Sequence, residues 1–487
     1  MIRSFGFAAV MLCACALASG QDNFQPTLAT YLGGSESIEE WTCADVAPDG
    51  HVVVAGMAPG YSVEGVQETW LMAGGDGIVL RVNPQTNEVV SVTRIGDYIE
   101  DMEVGPDGQI AITGSFGVAV LSPDASQIVW RDGDIVRGTR AAQFRNQTPP
   151  FRKYRYTRRV ARVAIGQDGT VASFQAEQKD WGDAPKHGRL YVWNSDGERL
   201  CDLRMTKYKY PKDLCVDSAN RQVIVGGFNT YSHDSPHMKD HPIHMQFLTA
   251  FTYDGNVNWA AYDFPAKDVY AENTYADSRV QRLAIGADGY LYMGGYIHGG
   301  DYIWRHDPFD VEQRVQVDVG YDSYTVASNM GRGIDQSYFA KFDPETGEIL
   351  QGQVLLCREQ PNGGGKPTQI QIKGIDADED GNVYIAGYCE AYINNRDQQR
   401  VAGEQVGEYH APEVFLLSVT PDFRQRRVWT VFSREDCEAA AWALGVRNGW
   451  GAFVGEVYQG EVITTDNAWQ SEPAGHTDGY LVIWETE

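Results

Sequence analysis

The sequence predicts an all-β chain folded as a seven-bladed β-propeller, its last blade closed by the N-terminal strand. Two observations carry that expectation. An apolar run, a turn built on Asp-Gly or a relative, and a β-rich run recur seven times along the 487 residues, and the opening segment "PTLATYLGG" (26–34) reads as a strand with no hairpin partner beside it.

Arg3, the apolar run 5–17 and the small residues Ala18, Ser19 and Gly20 follow the order of a secretory signal peptide, with an apolar part too short to span a bilayer. Residues 1–20 are therefore expected to be removed. Residues 21–487 are expected to form one propeller domain that is secreted or held in the cell envelope without a transmembrane segment. Lipid attachment at Cys15 is the alternative, with Cys13 a poor fit before it.

The repeats are "ADVAPDGHVVVAG" (44–56), "MEVGPDGQIAITG" (102–114), "VAIGQDGTVASF" (163–174), "LCVDSANRQVIVGG" (214–227), "LAIGADGYLYMGG" (283–295), "IDADEDGNVYIAG" (375–387) and "LGVRNGWGAFVGE" (444–456). Each gives two antiparallel strands, because Asp-Gly or Asn-Gly between β-branched and aromatic runs supplies the positive φ of a tight turn. A second hairpin, such as "GIVLRVNPQTNEVVSV" (77–92) or "YFAKFDPETGEILQG" (338–352), follows all but the last copy and completes a four-stranded blade. The last copy has only "GYLVIWETE" (479–487) after it, so the opening strand is expected to supply its missing fourth strand.

The "TYLGG" opening (30–34), followed by an apolar stretch, a DG turn and strands of the "NVYIAG" type (382–387), resembles the SBBP family of bacterial β-propeller repeats. The chain departs from that pattern at 175–187, at Asn448-Gly449 and in its long inserts. The resemblance implies a propeller fold and export. It carries over no catalytic residue, since the repeat positions serve turns and packing.

Extra chain is inserted between the second and third strands at 58–76, 229–246, 296–336, 388–412 and 457–478. These connections leave by one face, which is expected to be the functional one. Within them His233, His237, His241 and His244 are candidate ligands for a divalent metal, the only cofactor considered, against the alternative of a polar surface loop. Tyr302 and Trp304 could stack on a sugar ring while Arg305 and His306 hold a carboxylate, or they could form the insert's own core. Arg152, Lys153 and Arg155 lie in a basic run, 131–162, whose interleaved aromatic and basic residues suit a polyanion or neutralise nearby acidic loops.

Six cysteines follow the signal peptide, and loop position suggests Cys201 with Cys215, Cys357 with Cys389, and Cys43 with Cys437. The last pair would lock ring closure covalently, worth about 2–4 kcal/mol.

A net charge of −26 argues against nucleic acid as a partner. No nucleophile elbow, catalytic triad order or metal-protease helix stands out. The favoured reading is a non-catalytic exported propeller binding an anionic glycan or a cell-surface protein through its loop-rich face. The alternatives are a lyase-like enzyme acting on acidic polysaccharide and a structural envelope or matrix component.

Overall fold

The computed structural model describes residues 23–34, 39–133, 161–176, 188–208, 210–231, 243–271, 276–298, 303–315, 317–321, 335–357, 369–393, 395–475 and 477–486. The expected signal peptide lies outside them. Among the described residues no helix is long and apolar enough to cross a membrane, and the one α-helix is Ala266–Ala271. The fold is an all-β propeller.

The strands form eight sheets, which corrects the expectation of seven. Seven sheets have four or five strands and carry the repeats. Their innermost strands are Glu40–Val46, Ile99–Val104, Ala161–Ile165, Tyr210–Asp217, Ser278–Ile285, Ile370–Ala377 and Ser433–Arg447. Each contacts the next in order, and the last contacts the first, so the circuit is closed. We number these sheets first to seventh.

The eighth sheet is a clip that no repeat announces. Asn23–Phe24 pairs in parallel with Arg400–Val401, which turns through Ala402 (φ 51°) and Gly403 (φ 79°) to pair with Glu404–Gln405. It fastens the N-terminal segment to the insert of the sixth sheet, and the Phe24 ring packs edge-on against Phe432 at 5.9 Å.

Closure of the seventh sheet follows the expected scheme. Leu28–Leu32 pairs antiparallel with Asp478–Glu485, placing Thr30 opposite Leu481 and Tyr31 opposite Tyr480. All five residues of the opening strand are buried. The Tyr31 hydroxyl accepts from Val462 N at 2.9 Å, so this strand also holds the long second strand of its sheet.

The repeat turns are tight, and most place a single glycine left-handed. Gly50, Gly108, Gly169, Gly289 and Gly381 have φ between 75° and 83°, and Gly50 N donates to Ala47 O at 2.8 Å. A type I turn followed by a left-handed residue is the three-residue hairpin form. In the fourth sheet Arg221 takes that conformation (φ 52°), whereas Asn448 and Gly449 make a two-residue turn with φ 52° and 80°. In the fourth sheet the strands Gln222–Tyr231 and Ile243–Thr252 also extend into the stretch expected to be insert.

All six cysteines are buried, and no disulfide is present among the described residues. The face of the sheet explains two of the misses. Cys43 packs between the first and second sheets while Cys437 packs against the sixth. Cys201 lies between the third and fourth sheets and Cys215 between the fourth and fifth. Each of those pairs is divided by a sheet. Cys357 and Cys389 do share one cluster, without a bond between them.

Replacing Tyr31 by Phe leaves Val462 N without its acceptor in the core. Urea unfolding is expected to show a loss of about 1–3 kcal/mol. An unchanged midpoint would show that this contact does not hold the seam.

Candidate binding site at the axial channel

Each inner strand pairs on one side only, so its other edge must find partners without a further strand. Charged side chains reaching from one sheet to the next provide them. Asp45 Oδ2 accepts from Val104 N (2.7 Å), Asp101 Oδ2 from Val163 N (3.0 Å), Asp213 Oδ2 from Leu283 N (2.9 Å) and Asp376 Oδ2 from Val446 N (2.8 Å). Where the next strand offers a carbonyl, arginine replaces aspartate: Arg162 Nε donates to Lys212 O at 3.2 Å, and Arg282 Nε to Lys373 O. Arg447 Nη1 donates to Val104 O at 3.2 Å. At the seam the seventh and first inner strands come too close for any side chain between them: a Cβ on Gly445 would stand 2.5 Å from Asp45 Cα.

A second regularity aims side chains at the axis. In six inner strands the register shifts by one residue, leaving Thr42, Glu100, Lys212, Gln281, Lys373 and Trp442 as bulges. A bulge re-aims its side chain and ends regular pairing. Here it lines the channel with a ring of non-repeating chemistry.

The channel is electrically divided. Toward the hairpin turns, Asp45, Glu103 and Asp376 gather about Arg447. Burial, and then the Asp45 charge, push Asp376 up to about 8; burial and the same neighbours raise Glu103 well above the usual carboxylate range. Toward the loop-rich end, the fourth and fifth sheets are basic. Lys212 Nζ stands 5.5 Å and Arg279 Cζ 4.8 Å from the centroid of one ring, Phe228. Tyr210 stacks on that ring at 4.7 Å, and Arg279 also lies 4.6 Å from the Tyr296 ring. Arg279 is held by Asp277 (3.1 Å) and by His244, whose Nδ1 accepts from its Nε at 2.9 Å.

Lys212 is different. Burial, followed by the charges of Arg279, Arg162 and Arg282, lowers its amine to about 8, and no carboxylate among the described residues pairs with it. Across the mouth the sixth and seventh sheets contribute Tyr388, Trp442 and Tyr458, with Lys373 Nζ 5.5 Å from the Tyr388 ring.

The residues singled out by sequence fare unevenly. Tyr302, Arg152, Lys153, Arg155, His233, His237 and His241 lie outside the described residues. Trp304 and His306 are fully buried: Trp304 stacks on Tyr338 at 6.5 Å, and His306 Nδ1 meets Val311 O. This is the second of the two arrangements expected for these residues, the insert's own core, and a ring so enclosed offers no face to a sugar. Arg305 lies over Trp304 at 4.6 Å. His244 alone reaches the channel mouth, as a partner of Arg279 and Asp277. In the basic run, Arg162 is the buried link between Asp101 (3.0 Å) and Asp213 (3.4 Å), and Arg131 Nε donates to Phe116 O at 2.8 Å. Among the described residues no cluster of ligating side chains could hold a metal ion.

Lys212, Arg279 and Phe228 escaped notice in the sequence. The available signal was a spacing: Lys212, Gln281 and Lys373 each stand eight residues before their turn position, two residues ahead of the expected repeat.

Residues 364–388, which include the inner hairpin of the sixth sheet, match the SBBP model, a β-propeller repeat. The chain is a β-propeller repeat protein. No curated protein matches it. Among solved structures the propeller is similar to the GH74 enzyme of Niastella koreensis, at 9% identity over 92% of this chain and 61% of that one, with a TM-score of 0.41. It is also similar to the Synechocystis apocarotenoid oxygenase, at 12% identity over 88% and 89% with a TM-score of 0.38. A member of the DUF4221 family from Bacteroides vulgatus gives 8% identity over 74% and 90%, with a TM-score of 0.32. At these scores the likenesses carry no argument about chemistry.

The propeller's Asp376 gives a pH test. The folded state keeps this carboxyl protonated up to about 8, whereas the unfolded chain releases the proton near pH 4. Stability contributed by the group is therefore complete below about pH 4 and lost as pH rises toward 8, with a slope of up to about 1.4 kcal/mol per pH unit. Asp376→Asn is expected to flatten the fall in the denaturation midpoint between pH 5 and 8. A parallel profile in the variant would contradict the buried acid.

Proposed function

We propose that this is an exported, non-catalytic propeller, processed after residue 20, that binds an anionic glycan at the loop-rich mouth of its axial channel. The observation that carries the reading is Lys212. Its ammonium shares the Phe228 ring with Arg279, lies among three arginines and pairs with no carboxylate among the described residues. In a chain of net charge −26, a lysine whose charged neighbours are arginines favours an anionic ligand from solution, although Arg279 and Arg162 have acidic partners of their own. On the facing wall Tyr458 is partly exposed beside the buried Tyr388 and Trp442, and its ring suits the apolar face of a sugar.

A lyase would need a base beside the neutralised carboxylate. His306 is unavailable for that role because it is enclosed, which favours binding without turnover.

Calorimetric titration with an oligogalacturonate and with a neutral galacto-oligosaccharide of equal length tests the proposal. The acidic ligand is expected to bind selectively and to weaken as salt is raised. Lys212→Met is expected to cost about tenfold in affinity, or about 1.4 kcal/mol. Equal affinity for the neutral sugar, or indifference to Lys212→Met, would overturn the reading, and an unsaturated product would replace it with the lyase.

A further inference from the structure

We propose that Lys212 is also a carbonyl-trapping amine: it condenses with the ketone or aldehyde of a carboxylate-bearing small molecule, a 2-oxo acid or an open-chain sugar acid, while Arg279 holds the carboxylate. The inference rests on the channel mouth accepting anions, though not on the anion being a glycan.

Comparison with the other described lysines shows why this amine is singled out. Lys207 is paired with Asp263, Lys341 lies 2.9 Å from Asp288 and Lys267 lies 3.7 Å from Asp268. A carboxylate stands beside each of those amines. Lys373 is buried and lies within reach of Gln371. Lys212 has arginines where those others have acids, so a larger share of it is the neutral amine that attacks carbonyl carbon. Its place at a bulge turns it toward the channel, and its side chain is only partly enclosed. Arg279, over the same ring, has Nε and Nη2 engaged by His244 and Asp277 and leaves Nη1 to hold the carboxylate, which puts the adjacent carbonyl beside Nζ.

The chemistry balances without a co-reactant. The amine nitrogen bonds to the carbonyl carbon, the carbonyl oxygen departs as water, and the resulting imine carries one proton as iminium. Hydrolysis reverses the step.

The full chain is incubated with pyruvate, or separately with glucuronate, in the presence of cyanoborohydride, and the products are mapped by peptide mass. Pyruvate is expected to add once, at Lys212, with a mass gain of one pyruvate less one oxygen. Glucuronate labelling would extend the site to sugar acids, whereas labelling by pyruvate alone would restrict it to 2-oxo acids. Lys212→Arg should abolish the adduct with its circular dichroism unchanged, and Arg279→Gln should slow it about tenfold. Acetone, which lacks the carboxylate, should react slowly with both Arg279 and Gln at that position. Labelling spread across the lysines, or acetone reacting as fast as pyruvate, would overturn the proposal, and the site map of the unaltered chain gives that result even if a variant misfolds. Selective binding of oligogalacturonate without any adduct would defeat this proposal alone and leave the binding reading standing.

Discussion

An inner strand in a ring of sheets has one edge that no strand can cover, and that edge faces a channel too narrow to be treated as open water. In this protein the constraint is met by ionisable side chains, charged at most links and neutral at the buried Asp376. Asp45, Asp101, Asp213 and Asp376 cap amides of the next strand, and Arg162, Arg282 and Arg447 cap carbonyls. Hydrogen bonds to charged groups are worth about 1.5–3 kcal/mol each. Exposed pairs on the outer strands, such as Arg189 with Asp202, are worth about 0–1. The inner links therefore decide whether the ring stays shut.

The same links set the electrostatics of the axis. Capping amides requires acids, capping carbonyls requires bases, and which one is needed depends on what the neighbouring strand exposes. The bulges then add residues that differ from sheet to sheet. Arg162 and Arg282 are structural links, yet after burial and Arg279 their charges add to the lowering of the Lys212 amine. Binding chemistry at the mouth is thus partly a by-product of keeping the wall together. A broad groove on the outer edge of the first sheet, lined by Tyr61, Glu64 and Arg81, lacks this property, because Arg81 is already engaged by Asp49 at 2.6 Å.

What the sequence revealed follows from what local chemistry can encode. Asp-Gly at 49–50 and Asn-Gly at 448–449 require left-handed backbone, and the unpaired opening strand required a partner near Leu481; both signals are local or topological. Asn23–Phe24 is too short to show an alternating pattern, so the eighth sheet was invisible. Cys43 and Cys437 stand on neighbouring strands, but spacing does not tell which face of a sheet a side chain takes beyond a bulge. Trp304 and His306 were read by type, and burial depends on how their insert folds back against Tyr338. Lys212 was legible only as a polar residue ahead of an apolar strand. Its meaning comes from arginines contributed by two other sheets.

The opening strand also imposes a timetable. Thr30 is hydrogen-bonded to Gln470, 440 residues further along the chain, and its strand pairs with Asp478–Glu485. During synthesis six sheets can form from neighbouring hairpins as they emerge, while Leu28–Leu32 waits with a buried-type surface and nothing to cover it. Contacts this distant are slow to form and leave edges exposed in the interval. The geometry that seals the ring therefore leaves the opening strand uncovered until residues 478–485 have been made.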